Sequence, residues 1–379
     1  MICKTSINKY LLYVICLLCA TAMIATESNS IGTIITLALL FLVVFLCLSD
    51  GKAVCSKNNA VFLLSLLFCL NLLFNNPLTD ASLYSSIKVT ALFICFALLW
   101  RFSANYSQIE IIKRILLISV FVYGLIIIYS NISSERRFHG DLVLFGTSFD
   151  PNFIGIPFVY SSAICFYSLL FIKKKRISHL FDLLLLLEAF LIILLSASRG
   201  SFLGFIICNG LILVYYLFNK NVLFSKKFAL VAFLVILIFL AIFLAQNYFL
   251  RSWERINTIG KEGSDNSRFV LWGQSISLWV GHPLLGAGYY SNYSTFGKAT
   301  HNTFLMLLSE TGFLGFLIFV IILFMCFKKA YLFSDKSFFF ALVGVVCLIF
   351  FLDALDNRPV WCFLYVIALL PTQRKRIKN

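Results

Sequence analysis

The sequence predicts an all-α membrane protein that crosses the bilayer about twelve times, and three observations lead to this fold class. Hydrophobic residues make up 61% of the chain and charged residues only 12%, whereas charged residues provide about a quarter of a soluble domain. Apolar stretches recur along the chain, many of them near the eighteen or more residues that an α-helix needs to cross the hydrocarbon. Runs such as Leu183 to Leu187 do not alternate between apolar and polar residues, which argues against a membrane β-barrel.

The apolar segments divide residues 1–379 into spans of a single membrane domain. One helix over residues 183–218 would be about 54 Å long, well beyond the ~30 Å of hydrocarbon. The chain is therefore expected to turn back near Ser196 to Ser201. The predicted spans are, approximately, residues 10–25, 31–48, 61–74, 87–100, 115–129, 153–172, 180–195, 202–218, 228–244, 304–327, 338–352 and 360–370.

The basic residues alternate between the two ends of these spans, and basic residues stay preferentially in the cytoplasm. Both termini are accordingly predicted to be cytoplasmic, and residues 249–301 to form one long periplasmic loop between the ninth and tenth spans. A cleaved signal peptide would spoil this alternation, so residues 10–25 are kept as the first span. The predicted cytoplasmic clusters are Lys4/Lys9, Lys52/Lys57 and residues 101–114, 173–176, 220–227, 328–336 and 374–378.

Composition also limits the expected partners and cofactors. The net charge of +15 is explained by this topology and by anionic lipid, so membrane lipids are expected partners and nucleic acid is not. The twelve cysteines lie in apolar segments or on predicted cytoplasmic stretches and are interpreted as packing residues. The histidines are scattered and the outer loops carry no D-x-D pair, so neither a metal site nor another cofactor is predicted.

The turn between the seventh and eighth predicted spans contains the first candidate residue. Ser196 to Ser201 places Arg199 among small residues, where helices approach closely and an anion can reach the guanidinium group. The alternative is an arginine that extends from a helix end towards the membrane surface.

A helix predicted in the long loop carries the second candidate. Residues 265–267 can cap its start, and Pro283 ends it. Arg268 stands one turn before Trp272, so a cation and an aromatic ring share one face. One interpretation is a phosphate ligand beside a sugar-binding ring, and the other is a solvated loop arginine.

His301 precedes the next apolar helix, which Thr300 or Asn302 can cap. Histidine suits proton acceptance near neutral pH, although a surface histidine is the alternative. Asp182, Glu188 and Glu310 are charges within or near spans, and such charges are functional candidates by default. Glu310 lies nine residues beyond His301, about 900° of helix rotation, so the two are expected on opposite faces.

Taken in order, these motifs resemble the O-antigen polymerase and O-antigen ligase superfamily of bacterial surface-polysaccharide proteins. The similarity covers roughly residues 183–327, and Asp150-Pro151-Asn152 adds a looser element. The first third of the chain is similar in hydrophobicity alone. The matching residues are Ser198-Arg199-Gly200; Arg268 with Trp272; His282-Pro283 with Gly286 and Gly288; and His301-Asn302 with Gly312 and Gly315.

The resemblance implies an inverting, metal-independent glycosyl transfer from an undecaprenyl-pyrophosphate-linked oligosaccharide at the periplasmic face of the bacterial inner membrane. By this resemblance, Arg199 and Arg268 bind the pyrophosphate and His301 is the catalytic base. Trp272, Tyr289 and Tyr290 are guesses for saccharide stacking. A chain-length regulator and a flippase are candidate partners.

Three functions remain open from the sequence. A polymerase that joins repeat units is the preferred interpretation, and a ligase that moves finished polymer onto lipid A core or a protein differs from it only in the acceptor. A transporter of about twelve spans is an alternative from another class, but it would be expected to have paired halves and a polar site at mid-membrane. No internal repeat is evident.

Overall fold

The computed structural model describes residues 5–7, 9–21, 38, 40–46, 49, 60–75, 80–131, 140–144, 147–149, 151–196, 198–225, 227–228 and 264–371. The described residues are mostly helical, and the protein is an all-α membrane protein. Two small sheets accompany the helices: β1 (Thr5–Ser6) pairs in parallel with β2 (Phe102–Ser103), and β3 (Gly140–Leu144) pairs antiparallel with β4 (Thr147–Phe149).

The helices follow the predicted apolar segments closely, with the polar helix of the long loop added. Their bounds are α1 (Lys9–Thr21), α2 (Ala60–Phe74), α3 (Asp80–Leu99), α4 (Tyr106–Asn131), α5 (Pro151–Phe171), α6 (Arg176–Ser196), α7 (Arg199–Leu217), α8 (Ser264–Gly281), α9 (Ser291–Phe296), α10 (Thr303–Leu332), α11 (Ser337–Ile349) and α12 (Arg358–Leu369).

Six of the described helices, α3 to α7 and α10, are long and apolar enough to cross a membrane. The predicted turn at Ser196 to Ser201 is confirmed, because α6 ends at Ser196 and α7 begins at Arg199. Apart from Phe228, the predicted ninth span lies outside the described residues, as do residues 249–263 of the predicted loop, 1–4 and 372–379. Of the second predicted span, residues 38 and 40–46 are described and are helical.

Contacts place several of the described parts of the predicted cytoplasmic clusters at one end of the bundle. The start of α1 meets the start of α4 where the Gln108 amide donates to the carbonyl of Ile7. Lys113 of α4 pairs with Asp335 between α10 and α11, at 3.0 Å. The ring of Phe171, at the end of α5, packs on Tyr216 near the end of α7. The opposite end, at which α7 and α12 begin, is called the site end below; which compartment it faces stays a prediction.

Glycines bring α5, α7 and α11 close together near the site end. A Cβ atom on Gly204 of α7 would lie 2.8 Å from the carbonyl oxygen of Gly344 in α11, and one on Gly344 would lie 2.8 Å from Val159 of α5. Helix pairs in membranes pack through small residues because these let the backbones approach. The three helices therefore form a close-packed unit that holds the start of α7 in position.

Helix α10 is interrupted at Gly312, whose φ of 68° and ψ of −174° are not helical. In a continuous helix Phe304 and Phe319 would be about 22 Å apart along the axis, yet their ring centroids are 6.3 Å apart. The first part of α10, residues 303–311, therefore folds towards the second part, residues 313–332. The apolar segment predicted as one span over residues 304–327 is in fact two helical pieces.

The segment that follows α8 supplies the hydrogen bonds that this interruption leaves open. Ala287 donates to the carbonyl of Ser309 and Gly288 to that of Glu310, at 2.9 and 3.0 Å, while Phe313 donates to the carbonyl of Pro283 at 2.9 Å. Unpaired backbone groups are costly in a membrane. Residues 283–288 thus stabilise a sharp change of direction that an isolated helix could not keep.

Asparagines of α2 complete this arrangement from the other side. The amide of Asn71 donates to the carbonyl of Thr311 at 2.7 Å, and that of Asn75 donates to the carbonyl of Gly286 at 2.7 Å. Both the end of the first part of α10 and the segment packed against it are therefore fastened to α2.

We predict that Gly312→Ala lowers the thermal stability of the purified protein. A Cβ atom at this position would overlap the carbonyl of Leu284, and the positive φ is strained for alanine, which alone costs about 1–3 kcal/mol. Gly210→Ala in α7 is the matched control, because a Cβ atom there meets nothing within 4 Å. Equal melting temperatures for the two variants in detergent would contradict the proposed role of the interruption.

Candidate functional site

The loop between α11 and α12, residues 350–357, brings together the regions that carry the candidate residues. Phe350 packs edge-on against Trp272 of α8, with ring centroids 6.2 Å apart. A Cβ atom on Gly200, next to Arg199, would lie 3.0 Å from the Cβ of Phe351. Asp353 accepts the backbone N–H of His301 at 2.7 Å. Three residues of one short loop thus contact α7, α8 and the start of α10.

The backbone at His301 is held by a carboxylate. One oxygen of Asp353 accepts the N–H of His301 and the other accepts the N–H of Asn302, at 2.7 and 2.8 Å. His301 adopts a φ of 54°, a left-handed conformation that histidine reaches more readily than most residues. Because both carboxylate oxygens are engaged, the position from which the partly exposed imidazole extends is well defined.

The two residues after His301 fix the start of α10. The side chain of Asn302 caps the helix by accepting the N–H groups of Phe304 and Leu305, at 3.0 and 3.1 Å. The Thr303 hydroxyl donates to the carbonyl of Leu352 and accepts the N–H of Ala354. The predicted capping role of Asn302 is therefore confirmed, and the cap is tied to the loop between α11 and α12.

The helices that this loop joins are short for membrane spans. Helix α11 has 13 residues and α12 has 12, so they are about 20 and 18 Å long, against about 30 Å of hydrocarbon. Leu352, Ala354 and Leu355 are almost completely buried. His301 and Asp353, both partly buried, therefore meet beside buried residues of the loop; this region is called the recess below, and electrostatic interactions are stronger there than in bulk water.

Helix α8 borders the recess on one side. The indole N–H of Trp272 donates to the carbonyl of Thr300 at 3.2 Å. The ring therefore lies beside the backbone of the residue that precedes His301. Arg268 stands one turn earlier on the same helix and is half-buried. The predicted helix over this region is confirmed as α8, and it ends at Gly281, before His282-Pro283, as expected.

A buried network positions the segment between α8 and α10. The Glu310 carboxylate accepts the backbone N–H of Tyr290 at 2.9 Å and both the backbone and side-chain N–H groups of Asn292. The hydroxyl of Ser275 in α8 donates to the Asn292 side chain at 2.8 Å. The rings of Tyr290 and Tyr293 then lie 5.0 Å apart. The Glu310 carboxylate thus fixes the backbone at Tyr290 and Asn292. None of its hydrogen bonds among the described residues involves His301.

Burial shifts the acidity of groups around the recess. It raises the pKa of the Asp353 carboxyl, although the N–H groups of His301 and Asn302 and the nearby imidazole act in the opposite direction. Burial also raises the pKa of Tyr289 well above its usual value and raises that of Tyr290. The two phenols consequently keep their protons at any working pH.

The sequence candidates do not all fit their expected roles equally well. Arg199 is half-buried at the first residue of α7, and Trp272 and His301 surround the same loop. Tyr289, by contrast, is 6% exposed and belongs to the hydrophobic core. A ring with so little free surface is poorly placed to stack on a sugar, so Tyr290 and its neighbour Tyr293, which is 48% exposed, suit that role better.

Sequence reasoning missed Asp353. It follows the apolar segment predicted as residues 338–352, and its distance of 52 residues from His301 gives no local pattern. An acidic residue just past an apolar segment was the only available signal. In the described part of the chain, no group of three or more histidine, cysteine, aspartate or glutamate residues is placed to hold a metal ion.

One continuous segment of the sequence contains most residues of the candidate site. Residues 183–320 match the family model described as O-antigen ligase. The match confirms the resemblance to the O-antigen ligase and polymerase superfamily, and its range contains Arg199, Arg268, Trp272 and His301. Asp353 lies beyond it. No curated protein matches the chain.

We predict that Asp353→Asn reduces the glycosyl transfer proposed below at least about tenfold while the protein still accumulates in membranes. Asparagine keeps one acceptor oxygen but turns an amide N–H₂ towards the second backbone N–H, which leaves a buried donor unpaired at a cost of about 1–3 kcal/mol. Asp356→Asn is the matched control in the same loop, since its amide oxygen can still accept from Lys88. Equal transfer rates in the two variants would contradict the role of Asp353.

Proposed function

We propose that the protein is an O-antigen polymerase that joins undecaprenyl-pyrophosphate-linked repeat units by inverting, metal-independent glycosyl transfer. The observation that carries this proposal is the recess in which Asp353 fixes the backbone of His301 beside the helices of Arg199 and Arg268. The O-antigen ligase family match, whose range contains Arg199, Arg268 and His301, supports the class of chemistry. In this proposal the site end faces the periplasm, and the membrane is the bacterial inner membrane.

The proposed reaction transfers one proton and breaks one glycosidic bond to phosphate. The acceptor hydroxyl gives its proton to an imidazole nitrogen of His301, and its oxygen attacks the anomeric carbon of the donor saccharide. The bond between that carbon and the pyrophosphate oxygen breaks on the opposite face. The electron pair leaves with undecaprenyl pyrophosphate, so the anomeric configuration is inverted.

Arg199 and Arg268 are proposed to stabilise the departing pyrophosphate. A guanidinium group presents a planar fork of donors that matches phosphate oxygens, and it stays charged at every physiological pH. In the recess, two such groups provide electrostatic stabilisation of the developing negative charge. Trp272 and Tyr290 are proposed to stack against the saccharide rings.

The acceptor distinguishes the polymerase from the second candidate, an O-antigen ligase that transfers polymer to lipid A core. The polymerase proposal draws on the similarity of the Asp150-Pro151-Asn152 motif, whose last two residues begin α5, and on the limited length of the loop predicted over residues 249–301. The ligase proposal draws on the description of the matching family model. Purified protein in liposomes, given lipid-linked repeat units with and without lipid A core, separates the two: dimers of repeat units indicate polymerase, and core-linked product indicates ligase.

We predict that His301→Gln lowers the transfer rate by about 10²- to 10⁴-fold, the usual contribution of general-base catalysis. Glutamine can hydrogen-bond but cannot accept the proton. His282→Gln is the matched control, because His282 is an exposed histidine just past the end of α8. A His301→Gln protein with normal turnover per molecule would exclude the imidazole as the base.

The wild-type rate is expected to fall as the pH is lowered, because a protonated imidazole cannot accept the acceptor's proton. The raised pKa of Asp353 acts in the same direction, since a protonated carboxyl is a weaker acceptor for the two backbone N–H groups. The residual activity of His301→Gln should lack the imidazole-dependent part of this decline. Identical pH profiles for wild type and variant would argue against the assignment.

We predict that Arg199→Lys and Arg268→Lys each reduce transfer strongly despite the preserved charge, because lysine lacks the planar two-donor fork. The measurement is initial rate against donor concentration in proteoliposomes. Arg176→Lys is the control, because Arg176 is exposed at the start of α6, far from the recess. This variant should keep the wild-type transfer rate. Full activity of both test variants would reduce their role to generic positive charge.

A further inference from the structure

Glu188 lies in the middle of a membrane helix and has no part in the proposed reaction. It is 7% exposed and lies twelve residues after the start of α6 and eight before its end. At 1.5 Å per residue these distances are about 18 and 12 Å. The carboxyl group is therefore far from both helix ends, within the hydrocarbon thickness.

The space for this side chain is provided by a glycine of α4. A Cβ atom on Gly124 would overlap the carboxyl group of Glu188 and would lie 2.9 Å from Ile192 on the next turn of α6. The carboxyl group consequently sits directly against the backbone of α4. Neither of its oxygens has a hydrogen-bond partner in the part of the chain that the structure describes.

Charged groups on the helices packed here are distant or already paired. On α6, Asp182 lies six residues before Glu188 and is bound by Lys174 at 3.0 Å and by the hydroxyl of Ser168. On α4, Lys113 lies eleven residues before Gly124, about 16 Å along the axis, and pairs with Asp335 and Glu110. The other titratable group beside Gly124 is the buried phenol of Tyr123.

We infer that Glu188 is an intramembrane proton-binding site, occupied by a proton at neutral pH. An ionised carboxylate without a cation or a hydrogen-bond donor is strongly disfavoured in an apolar medium, whereas the neutral acid is tolerated. The contrast with Asp182 is informative, because the same helix holds a buried carboxylate that does have a cation. This inference does not depend on the proposed glycosyl transfer.

The bound proton has a structural consequence for the contact between α4 and α6. The neutral acid can remain against Gly124, whereas an ionised group would draw water or a cation into this contact. Conditions that remove the proton are therefore expected to loosen α4 from α6. Glu188→Gln, which is neutral at every pH and nearly the same size, should keep the contact closed.

The test is infrared spectroscopy of the full protein in lipid at neutral pH, as the difference between wild type and Glu188→Gln. The expected result is the carbonyl band of a protonated carboxyl group, which the variant lacks. Asp182→Asn is the matched control and should instead remove carboxylate bands, because Asp182 is ion-paired. Carboxylate bands in the Glu188→Gln difference spectrum would overturn the inference.

A second measurement covers the case in which the variant disturbs the fold. The melting temperature of wild type should decline relative to that of Glu188→Gln as the pH rises above about 4.3, because the carboxyl group then ionises in the unfolded chain while the folded protein keeps its proton. The two should be within a few degrees of each other below about pH 4, where the carboxyl group is protonated in both states. A Glu188→Gln protein that is strongly destabilised at neutral pH would mean that a charge at this position is needed, which contradicts the inference.

Discussion

The hydrogen bonds across the interruption at Gly312 determine where the rest of the site lies. Two N–H groups of residues 287–288 replace the donors that the first part of α10 has lost, and the carbonyls of residues 283–284 receive the first N–H groups of the second part. With these bonds made, the chain can change direction inside an apolar environment. His301 then reaches the loop between α11 and α12, and α8 comes to lie beside it.

Hydropathy predicted most of the described helices, because the membrane itself requires long apolar segments; the alternation of basic residues stays a prediction of topology. They did not reveal the interruption, since residues 304–327 are mostly apolar, Ser309 to Gly312 being the main break, and the change of direction depends on hydrogen bonds from a distant segment. Glycines at 286, 288 and 312 were the visible sign. Their positive φ values, however, are a property of the folded backbone.

The candidate site was predictable to a similar degree. Arg199, Arg268, Trp272 and His301 stand in short motifs, and the structure arranges their surroundings about one loop. Asp353 has no motif and becomes visible only when α10 and the loop after α11 are seen together. Tyr289 was predicted wrongly for the opposite reason: an aromatic residue in a loop suggested saccharide binding, but its ring is buried in the fold.

Helix α12 has a consequence for how the protein is assembled. All twelve of its residues are buried, and it follows the other described helices in the chain. It is too short to cross a bilayer alone, and its neighbours, rather than lipid, cover its sides. Because α12 is synthesised after the other described helices, those helices must associate before the space that it occupies is filled. Their contacts with one another therefore have to stabilise the bundle until α12 is inserted.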